Sequence, residues 1–196
     1  SCLSRMNLQD REERVMFLGA AGSGKTTLLS VLSDWGSLDD GRGKMRTRLL
    51  HHRHELLTGT TSSITHQPLV FLCDNSTPLS LADPDVLLQL ERRRQILGEA
   101  RVMQLIDSAG KLRFDWTVYS VLTASANPPD LAFIVIDAEA GLSPDSSIFD
   151  TYELLRLLDI PMALLINKID QASTEIISDL LEKLSEGIGE SRTLNL

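Results

Sequence analysis

The sequence predicts an α/β fold, a mostly parallel sheet with helices on both faces, and three observations predict it. Short apolar runs at 14–18, 101–106, 131–136 and 162–166 alternate with stretches of helical period. Residues 131–136 and 162–166 carry no polar side chain at all, as strands covered on both faces do. Each run ends in a polar or glycine-bearing loop, and ligands of open α/β sheets bind beyond the carboxyl ends of the strands.

Taken in order, residues 1–13 read as a polar lead-in and 14–196 as one domain. Residues 14–18 are a buried strand, and a helix runs from Thr26 to about Ser33. Residues 35–47, with Gly36, Gly41 and Gly43, are loop-like; 48–57, with leucines at 49, 50, 56 and 57, form a short helix. A polar stretch at 58–63 precedes a strand at 68–73, with Pro68 at its start, where a missing N–H is tolerated. Residues 74–99 look like an insertion, in which Asp83-Pro84 supplies an N-cap and a first helical proline and Gly98 a stop. Then come a strand at 101–106, a helix at 116–124, the Pro128-Pro129 loop and a strand at 131–136. An amphipathic helix at 146–158 and a strand at 162–166 follow. A last helix begins near Ser173 and carries Ile176, Ile177, Leu180, Leu181 and Leu184 on one face.

Composition narrows the function. The net charge of −8 argues against a broad basic face for nucleic acid, and the Arg92-Arg93-Arg94 triplet reads as a solvated helix face. Cys2 and Cys73 are far apart and form no metal or redox spacing, which suits a reducing, cytoplasmic setting. No apolar run approaches the ~20 residues of a membrane span, so no membrane partner is expected. His51 and His54 share a helical spacing, but nothing nearby completes a metal-ligand set. Trp35 and Trp116 read as core or interface residues.

The motifs carry the chemistry. Gly19-Ala20-Ala21-Gly22-Ser23-Gly24-Lys25-Thr26 is G-x-x-x-x-G-K-[ST], the phosphate-binding P-loop, set between a strand and a helix. Its glycines let backbone N–H groups close round a phosphate, and the helix N-terminus faces the same anion. The expected fold is therefore that of the P-loop NTPases. Ala21, Gly22, Ser23, Gly24, Lys25, Thr26 and Thr27 are the expected phosphate-side residues, Lys25 reaching the outer phosphates and the Thr26 hydroxyl holding Mg²⁺. Asp107-Ser108-Ala109-Gly110 is D-x-x-G at a strand end. Asp107 would take the Mg²⁺ side of the site, and the Gly110 N–H would approach the γ-phosphate.

Asn167-Lys168-Ile169-Asp170 is N-K-x-D, and with it the sequence resembles the GTPase superfamily, in which this motif reads guanine. A carboxylate at Asp170 accepts from both N1–H and the 2-amino group of guanine, whereas adenine offers neither donor. Residues 136–141 (IDAEAG) are similar to the V-D-A-x-x-G stretch of the translational GTPases, the family of elongation factor Tu. Within it, GSLDDGRG at 36–43, the HRHE at 52–55 and GTTSS at 59–63 are similar to motifs of the GTP-binding protein 1 and 2 group. The resemblance spans about residues 14–186. It implies a GTP/GDP site with Mg²⁺, hydrolysis of GTP, and a switch segment in which Thr61 ligates the metal and γ-phosphate. Thr60 is its neighbour.

Three departures matter. Lys111 follows D-x-x-G where the family carries a water-positioning histidine, and a charged lysine donates but cannot accept. Lys25, Thr61, Gly110 and Lys111 are accordingly the catalytic candidates, with hydrolysis expected to be slow or to use another residue, His66 being one to weigh. Gly22 replaces the family's usual P-loop aspartate. The family's guanine-O6 loop and its final strand and helix have no counterpart before Leu196. The expectation is a cytoplasmic monomer, with ribosome or RNA partners met through domains outside this chain. The competing reading is a GTP/GDP-binding switch or scaffold with little hydrolysis, and a third, an ATP-using P-loop enzyme.

Overall fold

The computed structural model describes residues 13–33, 64–72, 79–80, 100–108, 119, 122–123, 128–142 and 148–193. Its elements are β1 (Glu13–Leu18), α1 (Lys25–Ser33), β2 (Thr65–Leu72), β3 (Leu79–Ser80), β4 (Ala100–Asp107), β5 (Leu131–Asp137), α2 (Ile148–Leu157), β6 (Met162–Asn167) and α3 (Thr174–Thr193). One six-stranded sheet runs in the order β3-β2-β4-β1-β5-β6. The β4, β1, β5 and β6 strands are mutually parallel, and β2 is antiparallel to both its neighbours. The mostly parallel α/β sheet read from the sequence is the observed one.

The pleat sorts the side chains. Odd positions of β1 and β5 (Val15, Phe17, Val135) join Leu29 of α1, Leu69 and Leu105 in one buried layer. Even positions (Met16, Leu18, Ala132, Ile134, Ile136) join Ile148 and Leu155 of α2 and Leu180 and Leu184 of α3 in the other. Asp107, Asp137 and Asn167 stand at strand ends, where the chain leaves the apolar layers of the sheet. The entry of β5 is tied to β1 as well: the Arg14 N–H donates to Asp130 Oδ2 (2.9 Å) and the Asp130 N–H to the Arg14 carbonyl (2.8 Å).

Two expectations are corrected, and a third lies mostly outside the described residues. The strand expected at 68–73 begins at Thr65, so Pro68 lies inside it, opposite Gln104. A proline fits where its nitrogen faces away from a bonded neighbour, and among the described residues β3 pairs with β2 at Leu69 and Val70 alone. The five apolar residues expected on one face of the last helix divide: Leu180 and Leu184 meet the sheet, while Ile176 and Leu181 stand exposed. Leu181 lies about 100° round the cylinder from Leu180, and Ile176 is a turn nearer the helix start. Of the expected insertion at 74–99 only Leu79-Ser80 is described, as β3.

The α2 helix stops by a Schellman arrangement. Asp159 takes φ +55°, its N–H donates to the Arg156 carbonyl (3.1 Å) and the Ile160 N–H to the Leu155 carbonyl (2.9 Å). Buried Ile160 packs in the Leu155 layer, and the chain turns straight into β6. Among the described residues no helix is long and apolar enough to cross a membrane.

Candidate functional site

Because β1, β4, β5 and β6 run the same way, their carboxyl ends meet along one rim. The P-loop leaves β1 there. Gly19, Gly22 and Gly24 have φ of +133°, +84° and +93°, values that side chains rarely tolerate. A Cβ at Gly19 would run into the Val135 carbonyl of β5, and one at Gly24 into Asn167 Nδ2. The loop is thus pressed against β5 and the end of β6. Lys25 is buried, and its ammonium donates back across the loop to the carbonyls of Gly19 (2.7 Å) and Ala20 (2.8 Å). Burial pulls its pKa from the ordinary 10.5 to about 8, against the opposing pull of Asp107. Ala21 is exposed and Thr27 half-buried in the first turn of α1.

At the end of β4, the Thr26 hydroxyl donates to Asp107 Oδ2 at 2.6 Å, with Asp107 fully buried. Ser108 turns the other way, its hydroxyl donating to the Phe17 carbonyl at 2.7 Å and stapling β4 to β1. Sequence reasoning gave Ser108 no role. A buried serine following a buried strand aspartate was its only signal.

The N-K-x-D turn follows β6. Asn167 Nδ2 donates to the Ser23 carbonyl at 2.9 Å, joining this turn to the P-loop. Lys168 adopts φ +59°, and its ammonium lies 2.6 Å from Asp137 Oδ2. The other Asp137 oxygen accepts from the N–H groups of Glu139 (3.0 Å) and Ala140 (3.4 Å). Burial pushes the Asp137 carboxyl up, but the Lys168 hydrogen bond, the Ala140 and Glu139 N–H groups and the lysine charge outweigh it and hold the pKa below the usual range. The turn closes through Gln171 N–H to the Lys168 carbonyl (3.0 Å), and Asp170 is exposed within it.

The residues expected to act together are therefore brought together in two groups, Gly22 to Thr26 with Asp107, and Asn167, Lys168 and Asp170. Thr61, Gly110, Lys111, His51 and His54 lie outside the described residues. His66 pairs with Ile106, on the opposite sheet face from Asp107 and Thr26. Burial of its ring, with the Arg14 guanidinium nearby, lowers its pKa.

The donor set can be tested against the groups the motifs imply. Ser23 Oγ is buried within the P-loop without a hydrogen-bond partner, a costly state that a phosphate oxygen would relieve. One carboxylate beside one hydroxyl suits Mg²⁺, which takes few protein oxygens and completes its shell with phosphate and water. No cluster of three His, Cys, Asp or Glu side chains fit for a metal occurs among the described residues, so a softer, protein-caged ion finds no site in that part of the chain.

The family profile described as the elongation factor Tu GTP binding domain matches residues 11–194. GTP-binding protein 1 of Xenopus laevis is 31% identical over 176 residues, 88% of this chain and 25% of that protein. GTP-binding protein 2 of Homo sapiens is 29% identical over 178 residues, 91% of this chain and 28% of the relative. The chain thus spans about a quarter of the length of these relatives. In fold, it is similar to the GTP-bound crystal structure of the S. cerevisiae Ski7 GTPase-like domain, with a TM-score of 0.59 and 18% identity over 94% of this chain and 41% of that one.

Proposed function

The chain belongs to the elongation factor Tu GTP-binding domain family, and from that premise we propose that it is a Mg²⁺-dependent GTPase switch of the translational type. The observation that carries this reading is the Asn167 Nδ2 bond to the Ser23 carbonyl. It couples the turn that would read the base to the loop that would hold the phosphates, so one nucleotide fits across both.

In this reading the Gly22, Ser23 and Gly24 segment cradles the phosphates. Lys25 gives up its two loop carbonyls to meet the outer phosphates, a charge it already holds in place. Thr26 and Asp107 hold Mg²⁺, and Thr61 joins them from the switch segment. The metal, when bound, spreads the charge that builds on the phosphate oxygens. Asp170 accepts the N1–H and 2-amino hydrogens of guanine. Gly110 reports the γ-phosphate through its backbone N–H. The reaction is attack of water on the γ-phosphate, giving GDP and phosphate, with positioning and charge stabilisation as the protein's contribution.

Lys111 favours a second reading. A lysine beside the γ-phosphate stabilises charge but takes no proton from water while charged, so turnover by this chain is slow and partners read the bound state. Single-turnover GTP hydrolysis separates the two. Slow turnover that rises in Lys111→His supports the second reading, a switch read in its bound state because its water site is impaired. Turnover as fast as that of ordinary translational GTPases without their partners, unchanged by Lys111→Ala, removes Lys111 from the account. Ribosome or RNA partners are proposed by analogy with the family, and a cytoplasmic site with them.

A further inference from the structure

Asp137 is conspicuous because the proposed chemistry does not use it. It ends β5 directly opposite Asn167 of β6 in the parallel ladder. One carboxylate oxygen caps the following turn through Glu139 and Ala140, and the other takes the Lys168 ammonium at 2.6 Å. The pair is largely shielded, with side-chain exposures of 29% for Lys168 and 16% for Asp137. A carboxylate tethered on one oxygen is a rigid anchor for whatever meets the other.

What it anchors is strained. Lys168 holds φ +59°, in the left-handed region that side chains other than Gly and Asn avoid. It sits between Asn167, fixed to the P-loop, and Asp170, the base acceptor two residues on. A non-glycine residue persists in that conformation only where its surroundings hold it there. Here three contacts do so: Ala138 N–H to the Asn167 carbonyl (2.9 Å), Gln171 N–H to the Lys168 carbonyl (3.0 Å), and the Asp137 carboxylate on the ammonium. Only the last reaches the side chain.

We propose that Asp137 is a positioning residue for base specificity, holding Lys168 in its left-handed conformation so that the Asp170 carboxylate meets both hydrogens of guanine at once. The inference rests on the guanine reading of Asp170. Inosine diphosphate keeps the N1–H and lacks the 2-amino group, so the ratio of GDP to inosine diphosphate affinity reports how well Asp170 is aimed. One hydrogen bond to a carboxylate makes that ratio about tenfold or more.

The experiment is competition of GDP, inosine diphosphate and ADP against a fluorescent GDP on the whole chain, for wild type and for Asp137→Asn. Asparagine keeps an oxygen for the turn N–H groups and loses the charge that holds Lys168. The expected result is a GDP to inosine diphosphate ratio reduced severalfold, with thermal stability nearly unchanged. In a Lys168→Gly background, where φ +59° needs no clamp, Asp137→Asn has no further effect on the ratio. If Asp137→Asn weakens both nucleotides equally, or leaves the ratio at its wild-type value, the positioning role is wrong while the guanine reading stands. If wild type holds ADP as well as GDP, the guanine reading itself fails. Asp137→Ser, which also keeps a capping oxygen, replaces Asp137→Asn should the latter not fold.

Discussion

Lys25 lies buried with its ammonium on two carbonyls of its own loop, whereas Lys168 reaches across the rim of the sheet to a largely shielded carboxylate. The two lysines mark the two halves of the site. The phosphate half is held by backbone: Gly19, Gly22 and Gly24 take conformations few other residues adopt, and Gly19 and Gly24 press against β5 and β6. The base half is held by side chains, at an edge strand whose residues are all half-exposed. Backbone-held sites fail all at once when one atom is added. Side-chain-held sites lose selectivity by degrees. Asn167 is the seam between them.

The largest expected effect is on the phosphate half. Gly19→Ala puts a Cβ into the Val135 carbonyl at a φ of +133°. It should lower unfolding free energy in urea by about 3 kcal/mol or abolish nucleotide binding. A variant with wild-type stability and binding would show that the loop is not pressed on β5. Next is the seam. Asn167→Ala removes the donor to the Ser23 carbonyl, leaving a part-buried acceptor unmet, and should speed release of fluorescent GDP by about tenfold or more. Unchanged release would mean that the two halves act independently.

The pH dependence of the phosphate half is smaller and has a definite sign. Lys25 in the free protein loses its proton at about 8, while phosphate favours the charged form. Nucleotide affinity should therefore fall as pH rises above that value, roughly tenfold per pH unit until the complex also titrates. Stability of the nucleotide-free protein moves oppositely. The unfolded chain keeps this proton up to 10.5 and the folded chain only to about 8, so the group's contribution to stability rises between those values. Isothermal titration across that range and parallel melts measure both. Affinity independent of pH there would place the Lys25 charge outside the phosphate interaction.

The strand–loop–helix proposed to hold the phosphates was legible in the sequence. Its glycine spacing, its apolar strand and the helix after it are local, and Thr26 meeting Asp107 follows once both are placed at parallel strand ends. The base half was legible as a motif but not as a mechanism. Nothing local says that Lys168 is left-handed or that Asp137, 31 residues earlier, holds it. That contact exists only because β5 and β6 pair with Asp137 opposite Asn167. The β2 boundary was misjudged for a related reason: Thr65-His66-Gln67 is polar and Pro68 looks like an entrance, but pairing with β4 carries the strand back to Asp107. The divided apolar face of α3 likewise depends on where the sheet ends.

Whether a guanine nucleotide is held across both halves is decided by competition of GDP and ADP for the wild-type chain in the presence of Mg²⁺. GDP should displace a fluorescent guanine nucleotide at concentrations on the order of 10³-fold lower than ADP, because adenine leaves the Asp170 carboxylate without either donor. Equal displacement by the two would contradict it.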